Sequence, residues 1–219
     1  MDYFLYNRYC TKSYCMNKLT FQYYKPTSIV LTIIVLTIFI YLINNYLSTS
    51  FGYTVATSSI IIIIIGFIDK KLWNKPICKL LYNTEDFSGN YKGILKYQFR
   101  DANNILKEGE LEHIKTIRQN SSNITINSQT FKTNGDLSSP SETNYAFIVE
   151  QKNGTFAIYH NYENKGGEND LNLNPHSGTE VLEIEIDEEN NKQYLVGKYY
   201  TDRKPYQTRG RLKLELIKT

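Results

Sequence analysis

Residues 89–100 read GNYKGILKYQFR, and the spacing of their side chains decides the fold of the polar part of the chain. Every second residue is aromatic, apolar or glycine, and the positions between them are mostly polar or charged, with Ile94 as the exception. A period of two is typical of a β-strand that buries one face and exposes the other. The stretch therefore predicts an amphipathic strand.

The same period recurs along the rest of the chain, and turn-forming residues such as Asn134-Gly135-Asp136 separate the repeats. The predicted strands are 88–100, 108–119, 122–132, 143–151, 154–163, 178–187, 192–201 and 209–217. Eight short antiparallel strands without an intervening helix predict an all-β, up-and-down, lipocalin-like barrel. A barrel of this size has room for side chains and one small ligand. A two-sheet sandwich is the alternative.

Two apolar, uncharged stretches, 29–47 and 52–68, precede the strands. With its flanks, each is about long enough to cross roughly 30 Å of hydrocarbon as a helix. Lysines flank the outer end of each stretch, whereas the connecting segment carries no charge. The positive-inside rule then predicts a transmembrane hairpin with both ends in the cytoplasm. A pair of buried core helices is the alternative, and the late start of the first stretch fits a signal peptide poorly.

These patterns predict a basic N-terminal segment (1–28), a transmembrane hairpin (29–68), a juxtamembrane linker (69–83) and a cytoplasmic barrel (84–219). Residues 1–83 contain eight Lys or Arg and two Asp, a net charge of +6. The other residues contain 17 basic and 20 acidic side chains, a net charge of −3. A nucleic-acid-binding domain would be expected to be basic, so we expect no DNA or RNA partner.

The polar domain offers little catalytic material. Its three histidines, His113, His160 and His176, do not stand at metal-ligand spacing, and the sequence has no phosphate-binding loop or dinucleotide fingerprint. The three cysteines all lie in or beside the N-terminal region, which argues against a disulfide framework. We therefore expect neither enzyme activity nor a metal or cofactor.

One face of the seventh predicted strand points to a binding role. It carries Leu195, Gly197, Tyr199 and Thr201, and it continues to Arg203. A tyrosine can stack on a nucleobase, and an arginine can hold phosphate oxygens in a fork. The alternative is a barrel rim with ordinary surface tyrosine and arginine side chains.

Three local patterns, in this order, resemble one known family. They are FSGNYKG at 87–93, HSGTEVL at 176–182, and GKYYTDR at 197–203 followed by TRG at 208–210. Together with the apolar hairpin they resemble CD-NTase-associated protein 15, the two-transmembrane β-barrel effector of bacterial CBASS anti-phage defence. Tyr91 is a departure, because the family is expected to prefer Trp there.

The resemblance implies a multi-pass inner-membrane protein whose barrel binds a cyclic dinucleotide made by a partner CD-NTase. Binding would drive homo-oligomerisation, the helices would disrupt the bilayer, and the infected cell would die or stop growing. The rival hypotheses are a membrane-tethered, lipocalin-like carrier of an apolar ligand and a protein-binding membrane scaffold.

We expect the ligand to be held around the last two strands. Tyr199 would stack on a base, Arg203 and Arg209 would pair with phosphates, and Thr208 would hydrogen-bond a phosphate or a base edge. The further candidates are Thr201, His176, Tyr162 and Asn161.

Overall fold

The computed structural model describes residues 23–52, 54, 56–76, 78–167 and 174–217. Most of the basic N-terminal segment, with Cys10 and Cys15, lies outside the described residues. The chain divides into two compact units, of which the first holds residues 1–83 and 121–123 and the second holds the remainder.

The first unit contains one long apolar helix, α1, Pro26–Phe51. Proline suits the first turn because its missing N–H has no helical acceptor there. The helix ends at Gly52, which adopts a left-handed φ of 71° and donates its N–H to the Ser48 carbonyl. Its 26 residues extend about 39 Å at about 1.5 Å per residue. Helix α1 is therefore long enough to span a membrane, and most of its apolar side chains are exposed.

A second helix, α2, covers only Thr57–Phe67 and continues into a π-helical turn, Ile68–Leu72. Eleven α-helical residues extend about 17 Å, well short of the hydrocarbon thickness. The predicted pair of transmembrane helices is therefore corrected: within the described residues, one helix is long and apolar enough to span. The second apolar stretch is shortened because Gly52 ends α1 and the backbone at Ala56 is still extended.

A small aromatic cluster forms the core of the first unit. Tyr24, Trp73, Cys78 and Tyr82 are all buried together. The rings of Tyr24 and Tyr82 meet edge to face with centroids 4.5 Å apart, and the Tyr82 hydroxyl lies 3.2 Å from that of Tyr24. This cluster ties the segment before α1 to the 3₁₀ turn Cys78–Leu81.

The second unit is a closed barrel of eight antiparallel strands in chain order, with β1 paired to β8. The strands are β1 Gly89–Arg100, β2 Leu106–Gln119, β3 Ile124–Phe131, β4 Leu137–Glu150, β5 Phe156–Asn164, β6 His176–Asp187, β7 Lys192–Thr201 and β8 Arg209–Ile217. The predicted up-and-down barrel is confirmed, and the sandwich is excluded. The largest difference is at β4, which begins six residues before the predicted 143.

The barrel interior is packed with apolar side chains toward one end. Tyr91, Ile126, Ile158, Leu182, Leu195 and Leu214 are fully buried there. Gly93 permits close packing of β1 on β8, because a Cβ at this position would collide with the backbone of Lys213 and Leu214. The other end of the barrel, which carries the β1–β2, β3–β4, β5–β6 and β7–β8 loops, contains the cavity described next.

Candidate ligand-binding site

A cavity of about 600 Å³ occupies the barrel interior at this end. Its size lies in the range of small-molecule pockets. All eight strands or their connecting loops contribute to its lining, so the cavity exists only because the barrel closes. Its lining is mixed, with tyrosines, hydroxyl side chains, the Glu180 carboxylate and the cationic side chains of Lys132 and Arg203.

Three cavity tyrosines share one packing arrangement. Each ring lies over a glycine of the adjacent strand, and that glycine is its direct partner in the strand register. The pairs are Tyr97 with Gly109, Tyr162 with Gly178, and Tyr199 with Gly210. A side chain at any of these glycines would occupy the space of the ring. Because the glycines leave that space, the rings lie along the barrel wall and the interior stays open.

Two of these tyrosines are held in the neutral form. Burial, followed by the charge of Glu180, raises the pKa of both Tyr162 and Tyr199. Their hydroxyls therefore remain protonated at physiological pH and keep a proton to donate. Each ring presents an uncharged aromatic face, which is the surface on which a nucleobase stacks.

Small hydroxyl side chains line the wall formed by β3 and β4. They are Ser128, Thr130, Ser138, Ser139 and Ser141. Asn164 reinforces this wall, because its Nδ2 donates to the Ser139 Oγ at 2.8 Å and to the Ser141 Oγ at 3.0 Å. This side of the cavity therefore offers many hydrogen-bonding groups and little apolar surface.

A buried ion pair lies at the deep end of the cavity. The Lys115 Nζ is 2.8 Å from the Glu180 Oε2, and the two side chains are only 1% and 3% exposed. Lys115 also donates to the Ser128 Oγ at 2.9 Å. The His160 Nδ1 lies 3.1 Å from the same Glu180 oxygen. Of these three residues only Glu180 is part of the cavity lining, and we call the group Lys115, Glu180 and His160 the floor.

The floor holds balanced charges. Burial alone would raise the pKa of the Glu180 carboxyl, but the charge of Lys115 and the hydrogen bond from His160 outweigh burial and lower it. Burial lowers the pKa of His160, which favours the neutral imidazole. An ionised carboxylate only accepts hydrogen bonds, so the His160 Nδ1 carries its proton toward Glu180. The result is one cation, one anion and one neutral ring.

Within the described part of the chain, two buried side-chain polar atoms lack a hydrogen-bond partner, the His113 Nε2 and the Thr208 Oγ1. Both residues line this cavity. A buried polar atom without a partner costs about 1–3 kcal/mol, and folded proteins retain few of them. Both unpartnered atoms therefore belong to residues of a single cavity lining.

The mouth of the cavity is cationic. We define it by Lys132, His176, Arg203 and Thr208, all at the loop end of the barrel. The Thr201 hydroxyl braces this region, because it accepts hydrogen bonds from the backbone N–H of Thr208 at 3.1 Å and of Arg203 at 3.4 Å. The guanidinium of Arg203 therefore extends from a turn that is itself anchored to β7.

The structure brings together six of the eight residues that the sequence pointed to. Tyr162, His176, Tyr199, Thr201, Arg203 and Thr208 all line the cavity. Asn161 and Arg209 do not line it, because each follows an inward-facing residue and side chains alternate along a strand. Arg209 is exposed, and the Asn161 Nδ2 donates to the Gly178 carbonyl at 3.2 Å.

The sequence pattern did not predict His113 and Glu180 as cavity-lining residues, nor Lys115 as the ion-pair partner of Glu180. A signal was present, because His113 and Lys115 stand between Leu111 and Ile117 at the alternate positions of β2, all on one face. Glu180 stands at the corresponding inward position two residues before Leu182. Polar residues at inward positions indicate either a cavity or a buried ion pair. Here His113 and Glu180 line a cavity, and Lys115 and Glu180 form a buried ion pair.

Residues 82–216 match the family model described as Cap15, cyclic dinucleotide receptor domain. The chain belongs to this family. The match covers the barrel from before β1 to Leu216, one residue before the end of β8, and it agrees with the resemblance found in the sequence. A comparison with curated proteins found no match.

Membership makes the chain a CBASS effector with a cyclic dinucleotide receptor domain. A cyclic dinucleotide carries two bases and two phosphates on one ring. The cavity contains a group suited to each part: neutral tyrosine faces for bases, cations at the mouth for phosphates, and hydroxyls for sugar and base edges.

Proposed function

We propose that the cavity of the receptor domain is the binding site for the cyclic dinucleotide, and that the protein acts as a receptor and not as an enzyme. The observation that carries this proposal is the joint placement of tyrosine faces, cationic side chains and two unpartnered polar atoms in one cavity. Tyr162 and Tyr199 would stack on bases, Arg203 would pair with a phosphate, and Thr208 would complete a hydrogen bond. The outward position of Arg209 removes it from this set.

Binding would then promote homo-oligomerisation and disruption of the inner membrane, ending growth of the infected cell. A ligand shifts an assembly equilibrium only when it binds the assembled or competent state more tightly than the resting state. The apolar helix α1 supports a membrane role, because 26 residues exceed the length that a bilayer requires.

The lining of the cavity weighs against the rival carrier of an apolar ligand. Such a carrier needs a predominantly apolar interior, whereas this cavity is lined by Glu180, Arg203 and a wall of hydroxyl side chains. The scaffold hypothesis offers no reason to retain two unpartnered polar atoms in the same cavity.

The test uses the full-length chain reconstituted into anionic phospholipid vesicles that contain a fluorescent dye. We expect a cyclic dinucleotide to bind, to increase cross-linked oligomers and to release dye. Arg203→Ala should reduce all three responses, because it removes one of the two cationic side chains, with Lys132, at the mouth. Arg209→Ala is the matched control, since it removes the same charge from the outer face and should leave the responses unchanged.

Equal loss in the two arginine variants would place the site elsewhere. Dye release that does not depend on a cyclic dinucleotide would contradict the receptor mechanism while leaving the membrane activity intact.

A further inference from the structure

The two unpartnered polar atoms of the cavity lie at different depths. Positions along β1 measure the two depths. His113 pairs with Gly93 of β1. Thr208 comes just before Arg209, and Arg209 pairs with Gln98 of β1. Thr208 is therefore level with Phe99, six residues from Gly93 along β1. Six residues correspond to roughly 20 Å of strand at about 3.3 Å per residue. One atom lies near the floor and the other at the mouth.

The distribution of charge decides which part of a ligand would reach each depth. Near the floor, Lys115 and Glu180 neutralise each other at 2.8 Å, and His113 is uncharged. Burying a phosphate there would require desolvating its charge without a cation to receive it, which is costly. The cationic side chains Lys132 and Arg203 lie instead at the mouth. The deep end therefore suits the uncharged part of a cyclic dinucleotide, which is a base.

His113 is prepared to recognise such a base. The side chain is only 3% exposed, and its Nδ1 lies 2.9 Å from the Thr130 Oγ1, which fixes the ring. Burial, and then the charge of Lys115, lower the pKa of His113 to about 3, so the ring is neutral, and its Nε2 has no hydrogen-bond partner among the described residues. Nucleobase edges carry fixed patterns of donors and acceptors, so one fixed polar atom distinguishes between them.

We infer that His113 reads the edge of the base that enters the cavity most deeply, and that it thereby determines which cyclic dinucleotide the receptor prefers. This inference rests on the proposed function, because it assumes that the cavity is the cyclic dinucleotide site. The inference assigns different parts of the ligand to different parts of the cavity. The mouth binds the phosphates that every cyclic dinucleotide shares, and His113 distinguishes the bases.

The experiment measures the affinity of the full-length chain in detergent micelles for cyclic di-AMP, cyclic di-GMP and cyclic UMP–AMP. The variants are His113→Gln and His113→Phe, with Arg203→Ala for comparison. His113→Phe should lower the affinity for the preferred ligand by about 5- to 100-fold, the equivalent of one buried hydrogen bond, and should reduce the preference among the three ligands. Arg203→Ala should lower all three affinities by a similar factor and leave the preference unchanged.

The outcomes separate the two claims. If the wild-type chain binds none of the three ligands, the proposed function fails and this inference fails with it. If the wild-type chain binds but both His113 variants keep the wild-type order and ratio of affinities, only the inference fails. A uniform loss of affinity in the His113 variants would also overturn it, because that pattern indicates a structural role.

A measurement on the unmodified protein covers the case in which the variants do not fold. Selective ¹⁵N labelling of histidine gives side-chain signals for the three residues, and a His176→Gln variant assists their assignment. Addition of the preferred ligand should shift the Nε2 signal of His113 and leave that of His160 nearly unchanged, since the His160 Nε2 already lies 3.1 Å from the Thr143 Oγ1. An unshifted His113 signal at saturating ligand would contradict the inference.

Discussion

The ring of Tyr162 lies over Gly178, its direct partner on the neighbouring strand, and a Cβ at Gly178 would collide with the phenol group. The same relationship joins Tyr199 to Gly210. Residues that do not line the cavity therefore help to set its width. This relationship, together with the mouth and the floor, leads to four predictions.

Gly178→Ala should displace the Tyr162 ring into the cavity and weaken cyclic dinucleotide binding by at least about tenfold, equivalent to about 1.4 kcal/mol. Calorimetric titration of the full-length chain in micelles measures the effect. A double-mutant cycle provides the control, because Gly178→Ala should cost nothing further in a Tyr162→Ala background, where no ring is present to be displaced. Additive losses would show that Gly178 acts through the backbone.

Thr208→Val should change affinity and stability in opposite directions. The substitution removes the unpartnered hydroxyl at nearly constant volume, so ligand affinity should fall while the unliganded barrel becomes as stable or slightly more stable. Thr201→Val is the contrasting variant, because its hydroxyl bonds the backbone of Thr208 and Arg203, and its loss should destabilise the mouth. Urea unfolding and titration, performed in parallel, check both signs. Destabilisation by Thr208→Val would mean that its hydroxyl is satisfied within the protein.

Lys115→Met should destabilise the barrel by about 3–5 kcal/mol, because it leaves the Glu180 carboxylate buried without its partner. Lys92→Met is the matched control, since it breaks a 2.9 Å pair with Glu112 whose side chains are 48% and 43% exposed. An exposed pair contributes at most about 1 kcal/mol. Urea unfolding, monitored by the β-sheet circular dichroism signal, should therefore give widely different midpoints for the two variants. Similar midpoints would show that the buried pair is not needed for stability.

The stability of the barrel should fall as the pH decreases from about 6.5 toward 3. Burial lowers the pKa of His113 to about 3, below the roughly 6.5 of an unfolded chain. The unfolded state therefore binds the extra proton first, and the stability that His113 contributes is complete above about pH 6.5 and is lost on acidification. The contribution to the slope is at most about 1.4 kcal/mol per pH unit.

His113→Gln should reduce that slope. Unfolding curves of the wild-type protein and the His113→Gln variant, collected at several pH values, give the two slopes. Any contribution from His160 or Glu180 is present in both proteins and cancels in the difference. Parallel pH profiles for the wild-type and variant proteins would mean that His113 is accessible to protons in the folded state.

The strands were predictable because period-two patterns follow directly from the geometry of a half-buried strand. The start of β4 was missed for a physical reason: its inward residues are the buried Ser139 and Ser141, which give no apolar alternation. The same reason concealed Lys115 and Glu180, whose 65-residue separation is bridged only when the barrel closes. The second apolar stretch is shortened because α1 extends to Phe51 and ends at Gly52. Hydropathy alone does not show where one helix ends and the next begins.

The lining of the cavity was partly predictable. Alternation on β7 correctly placed Tyr199 and Thr201 on one face, and the face continued to Arg203. The position of Arg209 required knowing on which residue β8 begins, because a shift of one residue reverses inside and outside.

Closure of the barrel also restricts how copies of the chain can associate. Since β1 pairs with β8, every strand has a neighbour on both sides, and the sheet offers no free edge to another molecule. Contacts between barrels must therefore be made by outward side chains and loops, which are sensitive to local conformation and charge. A receptor of this kind therefore avoids the uncontrolled strand-by-strand polymerisation that threatens open sheets.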